Sequence, residues 1–446
     1  MEFIRDGALA CDEKGIITYV GERAALPRGA TGTEAALIIP PMLDAHIHIP
    51  QHPIRGRFME DVEAHPQQGR LIAGLNRNVF PTEARCTDDD YTRRVVQSFL
   101  ADTLAKGVIG GAAYMTVHPR AVRIALETLP GSWSVGLVLM NMNCPEYLRT
   151  SEQTLEEDVR GLAEEFGERF ILTDRFAVAV DTPLRTRAVR LADELGLRMQ
   201  THLNEQIAEK RFVEEVLYPQ YESYTDVYLR DGLLDRQPIL AHCVRMSEEE
   251  FQIVAQHLGV IAHCPTSNTL LGSGIMPLDR VSASGLPYAL CTDVGASPTT
   301  SLLAEMAQFL KVHAAIEPKL ATPSEALLSC TLRAGQILKL HSSDACFQMG
   351  NPMSFVEVDC DPLPKTDNAN EAIQLGLLGL SEQQLDSYRR GPHADAMDCL
   401  QRLGLDQCDE LTLLESDTRQ TCDRLGNRVR RVVVVGEELY RRRDSA

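Results

Sequence analysis

At 446 residues, 44% of them hydrophobic, the chain can bury one large core with an appendage or fold as two domains. With 44 basic and 63 acidic residues its net charge is -19, which opposes non-specific contact with nucleic acid or an anionic membrane and favours solubility. Met1 to Asp6 lack the apolar core of a secretory signal, and no apolar run approaches a spanning helix, so a cytoplasmic enzyme is expected.

The first 38 residues read as short strands and turns: Gly7 to Cys11, a turn over Asp12 to Gly15, then Ile16 to Gly21. They are too few to hold a core, and Arg431 to Gly436 near the other end is the expected partner strand. Leu37-Ile38-Ile39 leads through two prolines into Met42 to His48. From there apolar strand-like runs alternate with amphipathic helices. One helix, Tyr91 to Lys106, places Val95, Val96, Phe99, Leu100 and Leu104 on a single face behind the capping signal Thr87 to Asp90. Strand-like runs follow at 107–115, 135–140, 170–176, 198–202, 238–242, 259–264 and 287–293, with helices such as 187–195 and 247–257 between most of them. Eight strands in roughly 260 residues have the rhythm of a (β/α)8 TIM barrel. A doubly wound sheet is the runner-up, but no Gly-rich phosphate-binding loop follows any strand. Residues 361–428 are polar and acidic with helical patches such as Ala394 to Leu403, and the pattern does not place them.

In such a barrel, chemistry collects at the C-terminal ends of the strands. There the chain carries His46 and His48, then His202, His242, His263 and Asp293, in order. His46 and His48 stand two apart, so on a strand both imidazoles face one way and can reach one metal ion. Glu205 lies three residues beyond His202 and could move protons at that metal, or could be a helix-start acid favoured by the dipole. His242 could ligate the ion or hydrogen-bond its water. A buried Asp293 needs a metal or a proton donor. His263 reads as structural or near the substrate, and His65, His118, His257, His313 and His341 as ordinary. The 12 cysteines include no C-x-x-C pair, which argues against a thiolate zinc site or an iron-sulfur cluster and against the zinc deaminases that carry P-C-x-x-C.

Taken together, His46-x-His48, histidines at two later strand ends and Thr292-Asp293 resemble the amidohydrolase superfamily. Within it, residues 40–310 are similar to the guanine deaminases. That likeness is carried by His46 to Gln51, Phe80-Pro81-Thr82-Glu83, Pro145-Glu146-Tyr147, Asp174-Arg175-Phe176, Thr201 to Glu205, Leu217-Tyr218-Pro219, Tyr224 to Tyr228, Ala241-His242-Cys243, His263 to Asn268 and Thr292 to Gly295. Departures are Asp174 and Cys291, where the family usually has Pro and Gly, Asn141 where it tends to have Asp, and the apolar run Ala177 to Val180. The resemblance implies a barrel hydrolase domain over 39–344 and a small β-sandwich from 1–38 and 345–446, the latter with a C-terminal helical segment. It also implies a homodimer and one Zn2+, with Fe2+ as the other candidate, held by His46, His48, His202 and Asp293, with His242 at the ion or its water. Asp293 and Glu205 would move protons, Gln51 and Arg175 would read a purine edge, and Phe176 would pack on the ring. The implied reaction is hydrolytic deamination of guanine to xanthine and ammonia by a metal-activated water; another amino-heterocycle (8-oxoguanine, a pterin, a triazine or cytosine) is the alternative.

Overall fold

The computed structural model describes residues 1–63, 69–339, 345–360, 365–403 and 411–442; His65 and His341 lie outside them. Fourteen strands are seen among these residues. β1 (Gly7–Cys11) and β2 (Ile17–Glu22) form an antiparallel hairpin. β3 (Leu37–Ile39) is followed by the barrel strands β4 (Met42–His48), β5 (Val108–Tyr114), β6 (Trp133–Leu139), β7 (Phe170–Asp174), β8 (Met199–Leu203), β9 (Ile239–His242), β10 (Val260–His263) and β11 (Tyr288–Leu290). The last three are β12 (Phe355–Val358), β13 (Val429–Val434) and β14 (Glu437–Arg441).

β4 to β11 make one sheet of eight strands, each parallel to the next in chain order. The two edges meet at the C-terminal end, where Asp293 N donates to His46 O at 2.9 Å and His48 N to Val294 O at 2.8 Å. Every residue of β4, β5 and β6 is buried, because a parallel sheet wrapped by helices is covered on both faces. Inside, strands approach closely: a Cβ on Gly136 would stand 2.0 Å from Thr173 Oγ1, so only glycine fits there. Outside, the helix Asp89–Ala105 buries Val95, Val96 and Phe99, and its N-cap Asp88 accepts from Tyr91 N at 2.6 Å. Phe99 meets Trp133 of β6 edge to face, centroids 5.0 Å apart.

A second, antiparallel sheet has the order β14-β13-β12-β3. Both ends of the chain do meet, but by a different route from the expected one. The segment that enters this sheet is Leu37–Ile39, with β12 between it and β13. The hairpin instead docks on residues 350–353, where Ile17 N donates to Asn351 O at 2.8 Å and Met353 N to Gly15 O at 2.6 Å. Pro40 and Pro41 account for the change of sheet: neither can donate to a ladder, so the chain leaves one sheet there and starts the barrel.

The polar C-terminal stretch folds as helices Glu382–Arg390, Pro392–Leu403 and Leu411–Leu425. They cover the barrel helix Leu302–Val312, every residue of which is buried. Lys311 of that helix pairs with Asp417 at 2.7 Å, and Arg245 donates to the carbonyls of Leu400 and Gln401. Among the described residues no helix is long and apolar enough to cross a membrane.

Candidate metal centre

The two histidines of β4 face the barrel interior because they are two residues apart on a strand, and the other strand ends bring their own groups to the same place. Nε2 of His46 and Nε2 of His48 each lie 3.2 Å from Asp293 Oδ1. His202 Nε2 is 3.4 Å from His48 Nε2. Ligand atoms of His46, His202, His242 and Asp293 all fall within 4.8 Å of one another. Side chains up to 247 positions apart in sequence therefore converge on one point.

Each group is oriented from behind. His202 Nδ1 donates to Arg175 O at 2.6 Å, so Nε2 of this ring keeps its lone pair toward the centre, and His242 Nδ1 donates to Asn268 Oδ1 at 2.9 Å; burial acts downward on His242, but the neighbouring Glu205 carboxylate outweighs it and holds the ring well above its usual range. Asp293 Oδ2 accepts from Ser267 Oγ at 2.5 Å. Beneath, Asp44 ties β4 to β11 by accepting from His46 N at 3.2 Å and Thr292 Oγ1 at 2.6 Å. Asn204, His242, Cys243 and Asp293 have positive φ of 52–73°. Such conformations are costly for residues with a Cβ, and their gathering at the barrel mouth is typical of a functional site.

Burial dominates the electrostatics. It pushes His48 down to about 3 and His202 well below its usual range, the latter reinforced by the neighbouring imidazoles, so these rings are neutral and able to ligate. Burial acts upward on Asp293, but the hydrogen bonds from His46 and His48 outweigh it and hold the carboxyl well below its ordinary value. Burial raises Glu205 to about 7 against the pull of His242. The residues fit a divalent ion: buried His242 Nε2 has no hydrogen-bond partner, and imidazole nitrogens packed around one carboxylate are what a borderline cation takes.

Glu205 is not the helix-start acid. The capping box belongs to Gln206 and Glu209, whose Oε2 accepts from Glu205 N at 2.9 Å and Gln206 N at 3.0 Å. The Glu205 carboxylate instead stands 3.7 Å from His242 Nε2 and accepts from Ser273 Oγ at 2.9 Å. His263 lies apart from the cluster, 3.2 Å from His313 Nε2, in a structural position. Gln51 and Arg175 are brought together on Glu83, and the Phe176 ring sits 6.3 Å from that of His202. Sequence reasoning assigned no role to Glu83, Asn268, Ser267 or Ser273. For Ser267 and Asn268 a signal was present, since they lie in the motif that begins at a strand-end histidine; Glu83 lay in a motif shared with the family, but far from any strand end, so nothing gave it a role.

A model of the amidohydrolase family matches residues 37–374. The chain belongs to the amidohydrolase family. With its buried cluster of histidines and an aspartate, this amidohydrolase is a metal-dependent hydrolase. Among relatives, the guanine deaminase of Escherichia coli (strain K12) is 29% identical over 378 residues, spanning 82% of this chain and 83% of its own. The solved structure of the E. coli guanine deaminase superposes with a TM-score of 0.74 at 25% identity, covering 99% of this amidohydrolase and 93% of that chain. The atrazine chlorohydrolase of Arthrobacter aurescens TC1, solved with zinc, shares the fold at TM-score 0.71 and 18% identity, covering 98% and 90%.

Proposed function

We propose that this amidohydrolase deaminates an amino-heterocycle by hydrolysis, and that the heterocycle is guanine, giving xanthine and ammonia. The observation that carries the reaction type is Glu205, a carboxyl raised to about 7, standing 3.7 Å from His242 at the edge of the histidine and aspartate cluster. The relationship to guanine deaminases supports the base.

His46, His48, His202 and Asp293 would hold one divalent ion, with His242 alongside; zinc is the ion proposed, and iron suits the same donors. When bound, such an ion lowers the pKa of water and polarises the carbon under attack. Glu205, its carboxyl raised to about 7, can carry a proton at neutral pH and gives it to the ring nitrogen beside the amino-bearing carbon, leaving that carbon electrophilic. Asp293 accepts a proton from the attacking water as its oxygen bonds to the carbon. The carbon–nitrogen bond then breaks: the amino group takes the proton held on Asp293 and leaves as ammonia, while the new hydroxyl gives its proton to Glu205, restoring that carboxyl, and the carbon becomes a carbonyl. His202 and His242, fixed at Nδ1, keep their rings from turning during these transfers. Gln51 and Arg175 bind the edge of the base and Phe176 packs on its face. A cytoplasmic homodimer belongs to the same reading, with light scattering on the purified protein as its check.

The test is ammonia release by purified, metal-analysed protein from guanine, 8-oxoguanine, a pterin, a triazine and cytosine. Guanine is expected to have the highest kcat/KM. A higher value for another member of the panel would move the substrate while leaving the reaction type in place.

A further inference from the structure

Glu83 is a buried acid outside the metal cluster, at the end of the helix Phe80–Glu83, with 1% of its surface exposed. Its carboxylate takes three hydrogen-bond contacts, one from Gln51 Nε2 at 3.0 Å and two from Arg175 Nη1 at 2.8 and 3.0 Å. Gln51 follows β4 and Arg175 follows β7, and both are buried. The Phe80 ring lies 5.2 Å from the Arg175 guanidinium. One residue thus fastens both side chains that the proposed function gives to base recognition.

The chemistry of the fastening is directional. A carboxylate beside a guanidinium accepts and cannot donate, so the Gln51 amide must turn its NH2 to Glu83. Its carbonyl oxygen then points the other way, where it accepts from Gly295 N at 3.4 Å, a long contact that leaves acceptor capacity. Arg175 engages Glu83 through a single nitrogen, and a guanidinium carries five N–H donors. The pair therefore offers an acceptor from Gln51 beside donors from Arg175. Its complement is an N–H next to a C=O, the edge of a ring lactam. A heterocycle with a bare ring nitrogen beside an amino group presents the reverse order.

Resting on the proposed function for the identity of the pocket, we propose that Glu83 is a positioning residue that sets substrate specificity, holding Gln51 in the amide orientation that selects lactam-bearing amino-heterocycles. It touches no reacting atom. Glu83→Gln would let residue 83 donate as well as accept, so Gln51 could present either end of its amide.

The experiment compares wild type with Glu83→Gln in two arms, after metal content and thermal melting have been recorded. One arm measures kcat and KM for guanine; the other measures binding of hypoxanthine, which has the lactam but no amino group to lose, against purine, which lacks the lactam. Wild type should prefer hypoxanthine by at least about 10-fold, and the variant should lose most of that preference while its KM for guanine rises by more than its kcat falls. A preference kept in a folded, metal-loaded variant overturns the proposal and leaves the function standing. Wild type without guanine turnover or lactam preference overturns the functional reading, and this proposal with it. Should Glu83→Gln not fold, Glu83→Asp keeps the charge opposite Arg175 but draws the acceptor back from Gln51, and the same ratio is read. Failure of both to fold would make Glu83 a scaffold residue and overturn the assignment.

Discussion

His202 and His242 are held by the same device, an oxygen acceptor at Nδ1, although the acceptors are a backbone carbonyl and the amide of Asn268. Ligand orientation should therefore respond to residues that never touch the ion. Asn268→Ala is expected to weaken metal affinity by about 10-fold, at the low end for groups behind a ligand, in a competition assay with a chelator; unchanged affinity would place His242 at water rather than metal. His46→Ala should lose the ion outright, and stoichiometric metal in that protein would show that the site is elsewhere. For Glu205→Gln the expectation is full metal content with kcat lowered by at least about 100-fold. Near-wild-type turnover in that variant would remove Glu205 from proton transfer. Residues such as His46, His48 and Glu205 could be picked out beforehand because strand ends are where barrel chemistry gathers. Ser273 could not, and the motif that contains Glu83 gave it no role, because nothing in their neighbours along the chain reports which side chains they meet.

At the scale of elements, the eight runs read as strands correspond to β4 to β11 within a few residues at each end. Parallel strands buried on both faces are predominantly apolar, with the polar exceptions gathered toward the functional end, so the rhythm of strands is written into composition. The helix Asp89–Ala105 was legible for a similar reason, with its apolar stripe and its cap both local. Phe99→Ala there should cost about 3–5 kcal/mol, since it removes a fully buried ring packed on Trp133; urea unfolding measures it, and a loss below about 1 kcal/mol would mean that the site collapses around the gap. Leu37–Ile39 shows where local reading stops. Its residues suit a strand, but which sheet it joins depends on β12, more than 300 positions away.

The whole molecule decides the fate of the polar C-terminal stretch. Its helices have apolar positions too sparse to announce a partner, yet they close over Leu302–Val312 and bury Lys311 against Asp417. Asp417→Asn should destabilise the fold by about 2–3 kcal/mol, less than for a fully enclosed pair because Asp417 keeps part of its surface in water. Faster amide exchange across Leu411–Leu425 would accompany the loss; exchange unchanged there would show that apolar packing alone holds these helices.

The order of strands and helices and the residue types at the strand ends are determined by the sequence alone, because periodicity, capping and burial on both faces act over a few neighbouring residues. The meeting of five groups around one point, the docking of the terminal hairpin on residues 350–353 and the fastening of Gln51 and Arg175 by Glu83 are decided only by tertiary structure. Those contacts join positions tens to hundreds of residues apart, and their energies exist only once the barrel has closed.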